Sequence, residues 1–391
     1  MKSRSIRTAA ALVLLGCGHS DAFVAAASAV GPFNTGTDIR LTVNAEQDYW
    51  PAWTGDGRGI LYSFVNPVAA GIAASRHRCM GILPAAGGTR VWQLCDDRAT
   101  QTDTVSSFTA YALAHDGRLL YVEAVASAQF PSIPSQITLW LADTAKPFER
   151  TALLTLPVTA GSLVTWLAEI RWTGPNSFMA LGQALGTFPA CGSCFAADSL
   201  FADSTFAGGV AAASGTVVIG AIAGTHATVQ AVSGTAGAVE YSLAENGASI
   251  VFIHRDDTRL YKVPATGGTA AVVATVTAQG SQLLGVSCKG STCVVANDPV
   301  TPSFGGNSGG PIFASVRSGP RELHSVSLSD GTVGTIRTFG PSAAVPIIAS
   351  PQISPTTGDV VVQIGGVWGH LQTNTAGGGP SDLHLYPSIV P

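Results

Sequence analysis

Gly306-Asn307-Ser308-Gly309-Gly310-Pro311 satisfies the G-x-S-x-G spacing of a nucleophile turn. A serine attacks a carbonyl only with a histidine base and an orienting acid at hand. The histidines His77, His115, His226, His254, His324 and His370 are scattered singly along the chain. His115 itself stands inside a turn phrase, Ala114-His115-Asp116-Gly117. A nucleophile elbow also needs a strand before the serine and a helix after it. Phe304-Gly-Gly-Asn-Ser-Gly-Gly-Pro311 offers neither a helix former nor a cap, so it reads as a glycine loop. Asp256-Asp257, flanked by Arg255 and Arg259, has the types for holding a cation or for acid and base work. Its setting between two apolar runs reads instead as a solvated turn. Metal sites need several convergent oxygens or imidazoles, and the spacing offers none, so neither a metal nor a cofactor is expected.

The elements that position these residues come from a repeat. Six phrases share one plan, a strand, a polar turn and an apolar strand. They run from Trp53, Leu113, Trp172, Leu243, Val286 and Ile353, with turns at Asp56-Gly57, Asp116-Gly117, Pro175-Asn176, Asn246-Gly247, Lys289-Gly290 and Thr357-Gly358. Asp-Gly and Asn-Gly accept positive φ and close tight hairpins. From Gly57 to Gly358 the phrases recur about every 60 residues, enough for one four-stranded blade with its loops. The expected fold is all-β, a six-bladed propeller over residues 37–391. In the first repeat the strands after the turn fall near 59–65, 78–84 and 89–95. In the fourth they fall near 238–244, 248–254, 258–264 and 269–276. The sixth repeat ends after Asp382–Tyr386 without a last strand. Thr37–Val43 alternates apolar and polar residues and supplies it, closing the ring and hiding an open sheet edge.

Composition agrees. Of 391 residues only 11% are charged, 45 are glycine and the apolar share is 46%, far too apolar for disorder. Length alone suggests two or three domains; the unbroken repeat argues for one. Residues 207–239 hold no charged side chain, but glycine and serine interrupt the run, so it reads as a strand pair and not a membrane span. The N-terminus carries Lys2, Arg4 and Arg7 before a short apolar stretch, Thr8 to Gly16, the pattern of an export signal. Without those three residues, 17 basic face 24 acidic side chains, and no basic stripe exists for nucleic acid.

There are seven cysteines. Cys288 and Cys293 flank Gly290-Ser291 symmetrically, and Cys79 and Cys95 flank Gly87, so each couple faces across a hairpin and suits a disulfide. Cys191 and Cys194 form a CxxC, which can be redox-active or half of a zinc site. With no second free pair nearby it reads as a small loop disulfide.

Several of these phrases resemble known families. Asp48-Tyr-Trp-Pro51-Ala-Trp53-Thr-Gly-Asp56-Gly57, echoed by Phe252 to Tyr261 and Gly267-Gly268, resembles the TolB-type and WD-like propeller repeats of bacterial envelope proteins and related platforms. That resemblance covers nearly the whole mature chain and implies a propeller used for binding, as an accessory domain or as an enzyme. Leu14-Leu15-Gly16-Cys17 resembles the bacterial lipobox, which implies a signal segment over 1–17 ending at Cys17, cleavage before that cysteine, its lipidation as the first mature residue and a tether over 18–36. The alternative is cleavage after Ala27-Ser28-Ala29. The Ser308 phrase is similar to the nucleophile motif of trypsin-like and HtrA-like proteases, but the Ala-His-Cys context of their histidine is missing.

Function is expected in the loops. Connections between second and third strands are long in five repeats, near 66–77, 126–136, 184–198, 298–320 and 366–381, and share one face of the ring. Aromatic and arginine side chains in or beside them fit a recognition surface. Phe304, Arg317, Arg321, Trp368 and His370 are the candidate contacts, with Phe130, Phe188 and Phe313 nearby. The expectation is a lipid-anchored envelope module, in the membrane only through its lipid, that binds a protein or peptide partner without catalysis. The alternative is a hydrolase or lyase acting on glycans or peptides in the central channel, which would require converging carboxylates.

Overall fold

The computed structural model describes residues 33–34, 38–42, 48–65, 78–95, 104–127, 130–157, 164–185, 214–254, 257–277, 282–298, 300–301, 315–316, 321–339, 348–365 and 381–390. Two short N-terminal strands come first, β1 (Phe33–Asn34) and β2 (Ile39–Arg40). The first four-stranded unit is β3 (Asp48–Trp53), β4 (Gly59–Val65), β5 (Arg78–Pro84) and β6 (Trp92–Cys95). The second is β7 (Thr104–Leu113), β8 (Arg118–Ser127), β9 (Phe130–Asp143) and β10 (Lys146–Pro157). The third is β11 (Val164–Gly174), β12 (Ser177–Leu185), β13 (Ser214–Ala223) and β14 (His226–Ala231). The fourth is β15 (Ala238–Ala244), β16 (Ser249–His254), β17 (Arg259–Pro264) and β18 (Ala271–Thr275). The fifth is β19 (Gln282–Lys289) and β20 (Thr292–Asp298), then a ribbon of β21 (Val300–Thr301) and β22 (Ser315–Val316), then β23 (Arg321–Ser327) and β24 (Val333–Phe339). The last is β25 (Ile348–Ile353), β26 (Val360–Gly365) and β27 (Ser381–Tyr386).

Each unit is an antiparallel meander, and the chain is an all-β propeller. The innermost strands meet in order, β25 with β3, β3 with β7, β7 with β11, β15 with β19 and β19 with β25. The fourth unit meets the third where β12 and β13 touch β15. Second strands are buried apolar runs, such as Ile60-Leu61-Tyr62, Leu119 to Val122 and Ile250 to Ile253. They are apolar on both faces because neighbouring sheets cover both. The core is accordingly a set of seams between sheets. Trp50, Leu61 and Met80 pack on Phe108, Tyr111 and Tyr121 at one seam, and Ile60, Tyr62 and Leu41 pack on Val361, Leu383 and Leu385 at another.

The closing strand is present. Ile39 pairs with Leu385 and Arg40 with His384, and the Leu41 N–H donates to the Leu383 carbonyl at 2.8 Å. The fourth-unit strands lie within two residues of those expected. The run 207–239 contains the β13–β14 hairpin, and among the described residues no helix is long and apolar enough to cross a membrane. Both hairpin disulfides, Cys79–Cys95 and Cys288–Cys293, are formed between directly paired residues. Replacing both cysteines of a pair by serine should cost about 3 kcal/mol for the first and about 2 kcal/mol for the second on the chain-entropy model. Denaturant unfolding of each double variant measures this, and peptide mapping without reductant checks the pairing.

Several expectations need correction. Phe33–Asn34, assigned to the tether, pairs with β2 as a further outer strand. The second repeat has no long loop at 126–136, because β8 and β9 keep pairing out to Ser127 and Phe130. Two register shifts lie there, with Pro134 paired to Ala126 and residues 131–133 passed over before Phe130, as bulges permit. In the third repeat the third strand begins at Ser214, well beyond residue 198. The sheets of the third and fourth units also join through Gly215 and Ala238, a link the repeat does not suggest. Gly358 reads in the sequence as a turn glycine. Its need is space, since a Cβ there would lie 1.5 Å from the Val390 carbonyl oxygen.

Candidate functional site

The inner strands of all six units converge on an axial cavity of about 340 Å³. Its wall is formed by inner strands and the turns that follow them, with Trp50 to Gly55, Ala110 to Leu113, Glu169 to Trp172, Ser242-Leu243, Ser287 to Lys289, Ser350 and Gln352 to Pro355 contributing. Every inner strand has a bulge against its neighbour in the sheet. Three of them hold a non-glycine residue at positive φ, Trp50 at 49°, Glu169 at 48° and Ser350 at 50°. The fifth unit uses Gly285 at 131°. Bulges re-aim side chains, and the cavity-lining residues of each inner strand lie at or just after its bulge.

Hydrogen bonds between units fix this geometry. The Tyr111 hydroxyl donates to the Trp50 carbonyl, and the Tyr241 hydroxyl to the Glu169 carbonyl, both at 2.7 Å. Burial pushes the Tyr241 phenol well above its ordinary value, so it stays a donor. Trp53 Nε1 donates to the Gln352 carbonyl at 2.9 Å and Trp172 Nε1 to the Ala112 carbonyl at 3.1 Å. Ser242 Oγ accepts the Cys288 N–H, and Ser287 Oγ accepts the Ile353 N–H, both at 2.9 Å.

Three charged side chains line the cavity, Glu169, Arg171 and Lys289. Glu169 Oε2 accepts the Tyr241 N–H at 3.0 Å. Arg171 Nη2 donates to Gln352 Oε1 at 3.1 Å, joining β11 of the third unit to β25 of the last. Lys289 Nζ donates to the Thr357 carbonyl at 3.2 Å. Glycoside cleavage uses two carboxylates about 5–10 Å apart, whereas Glu169 is the one carboxylate among the described lining residues. The cavity is therefore equipped with donors and aromatic surface, and with a small excess of positive charge.

Among the described residues, none of the candidate contact or catalytic residues singled out in the sequence lines the cavity. Phe304, Ser308, Arg317, Trp368, His370, Asp256, Cys17, Cys191 and Cys194 are outside the described residues. Arg321 is described and is not at a loop tip. It opens β23 and is 6% exposed, so its removal should cost stability as well as any contact. Asp257 is a satisfied turn residue, accepting from Arg259 at 2.8 Å and from the Tyr261 hydroxyl at 2.6 Å. Burial pushes its carboxyl up, but these donors outweigh it and hold it at about 2. His254 stacks on Tyr261 with ring centres 4.4 Å apart, and burial lowers its pKa. Among the described residues no three His, Cys, Asp or Glu side chains group as metal ligands.

The reading of loops missed Glu169, Arg171, Lys289 and Gln352. A signal existed. Aligning the six phrases three residues further upstream sets Glu169 and Arg171 against Trp50 and Ala52, a change from apolar to charged on the strand nearest the axis.

No family model matches this sequence, and no curated protein matches it. Solved structures resemble it weakly. A luciferin-regenerating enzyme is 11% identical over 91% of this chain and 95% of its own, with a TM-score of 0.46. TolB from Acinetobacter baumannii is 12% identical over 80% of this chain and 58% of its own, with a TM-score of 0.44. The Pan2 WD40 domain of Neurospora crassa is 8% identical over 88% and 90%, with a TM-score of 0.41. Their named activities differ from one another, and none transfers to this chain.

Proposed function

We propose that the chain is an exported propeller, lipid-anchored through Cys17 at the bacterial envelope, that binds a protein or peptide partner without catalysing a reaction. The observation that supports this reading best is how the cavity's polar groups are used. Glu169, Ser242 and Ser287 all bond to the backbone of a neighbouring unit. A nucleophile or general base must instead be within reach of the substrate proton it takes. Such a scaffold holds shape and presents surface. The loop-face residues Phe304, Arg317, Trp368 and His370 are the contacts we assign to the partner.

The test combines address, capture and labelling. Cys17→Ser should abolish palmitate labelling and release the protein from membranes. Trp368→Ala should weaken partner capture from envelope extract by about 1–2 kcal/mol, the loss of an interface anchor, with an unchanged melting temperature. Labelling of Ser308 by a fluorophosphonate, with capture indifferent to Trp368→Ala, would replace this reading with a hydrolase.

A further inference from the structure

We infer that the axial cavity is a carboxylate-binding site, with Arg171 as the group that takes the carboxylate and the Trp53 and Trp172 indoles as the walls for an apolar body. This inference uses none of the loop-face contacts, so either proposal can fail alone.

The first observation is an incomplete guanidinium. Among the described residues, Arg171 makes one side-chain hydrogen bond, to Gln352 Oε1 at 3.1 Å. Its Nε is buried and has no acceptor there. A guanidinium presents five donors, and a buried donor left unpaired carries its desolvation cost unrelieved. Nε itself is enclosed, whereas Nη1 is not among the buried unpaired atoms, so an acceptor in the cavity would meet the terminal nitrogens and this position favours a ligand with oxygen acceptors.

The second observation is charge. Arg171 and Lys289 both line the cavity, and among the described residues both bond only to neutral oxygens, an amide in one case and the Thr357 carbonyl in the other. The lining carboxylate, Glu169, receives the Tyr241 N–H. A cavity walled by low-dielectric protein concentrates the field of such cations and draws in an anion.

The third observation selects the anion. Gln352 Oε1 is the neutral counterpart of a carboxylate oxygen, and Arg171 already takes it. The planar guanidinium fork matches a planar carboxylate. The indoles are pinned by their own N–H bonds to the Gln352 and Ala112 carbonyls, so they offer preformed apolar surface. At about 340 Å³ the cavity is at the small end of ligand pockets, which run to about 1,000 Å³. The ligand is thus a carboxylate on a compact, flat apolar body. A free small acid and the C-terminus of a peptide both present that chemistry.

Calorimetry of the full chain with matched acids and amides tests this. The probes are indole-3-acetate against indole-3-acetamide, phenylacetate against phenylacetamide, and acetyl-Gly-Gly-Trp against its C-terminal amide. Each bound acid should exceed its amide by about tenfold or more, the value of a hydrogen bond to a charged group. Binding of all three acids, or of the peptide alone, assigns the source as a peptide terminus, and binding of the small acids alone assigns a free metabolite. Arg171→Gln should remove the preference for acid over amide. Gln352→Glu provides a check against misfolding, because it places a resident carboxylate on Arg171. It should abolish binding while leaving the melting temperature equal or higher. The inference is overturned if no acid binds, if acids and amides bind alike, if sodium sulfate competes as well as the acids do, or if Gln352→Glu still binds.

Discussion

A chain beginning at residue 46 should melt far below the full chain and associate as its concentration rises. The reason is the closing strand. Without residues 38–42, β27 loses its outer partner and becomes an open edge, able to pair with another molecule. The strand contributes more than ladder bonds. Leu41 is buried in the seam with Val361 and Leu383, and a buried leucine is worth about 2 kcal/mol. The Leu41 N–H bonds to Leu383, and Thr42 Oγ1, fully buried, accepts the Leu383 N–H at 2.9 Å. Each such bond adds about 1 kcal/mol. Asp38 meets the His384 ring at 2.8 Å, and Arg40 pairs with Asp382. Together the loss is about 5 kcal/mol, at the lower bound of what holds a domain folded. Thermal unfolding with light scattering measures both parts. An unchanged midpoint would show that the first and last strands are not what holds the ring shut.

That strand was legible because it answers a deficit visible in the sequence. The sixth repeat lacks its last strand, and Thr37–Val43 is the alternating segment available to fill it. The turns were legible for a similar reason, since Gly57, Gly117, Gly247 and Gly290 do adopt positive φ. The cysteine pairs followed from the same hairpin symmetry. The cavity was legible only as a change from apolar to charged at Glu169 and Arg171, and its geometry was not, because alternation misleads at a bulge. Read with a period of two, Glu169 and Arg171 share a face of β11. The bulge at Glu169, with φ of 48°, interrupts that alternation and lets Glu169 meet Tyr241 while Arg171 reaches Gln352. Nothing in a tryptophan-rich phrase announces such a backbone. The loop expected at 126–136 was also misread, since β8 and β9 keep pairing there through two register shifts.

Gly285→Ala should damage the ring severely for a single methyl. Gly285 occupies the bulge of the fifth inner strand at φ 131°, a conformation L side chains rarely adopt. Its Cβ would lie 2.6 Å from Pro351 Cδ, 2.9 Å from Glu240 Oε2 and 3.0 Å from the Ser350 nitrogen. The fourth and sixth units thus both press on this one position. The proline ring and the Ser350 backbone have no rotamer with which to yield, so the inner strand itself must move. Strain and overpacking together should cost about 3 kcal/mol or more. Gly88→Ala separates the two terms. Gly88 sits at φ 119°, and a methyl there would meet nothing within 4 Å, so it bears the conformational cost alone. Urea unfolding of both variants gives the difference, and equal losses would mean the seam is looser than the geometry implies. The damage should extend to binding as well. Ser350 and Gln352 share β25 and the cavity wall, so a displaced β25 pulls the Gln352 amide from Arg171. Gly285→Ala should therefore also lose the preference for a carboxylate over its amide, whereas Gly88→Ala, remote from the axis, should keep it.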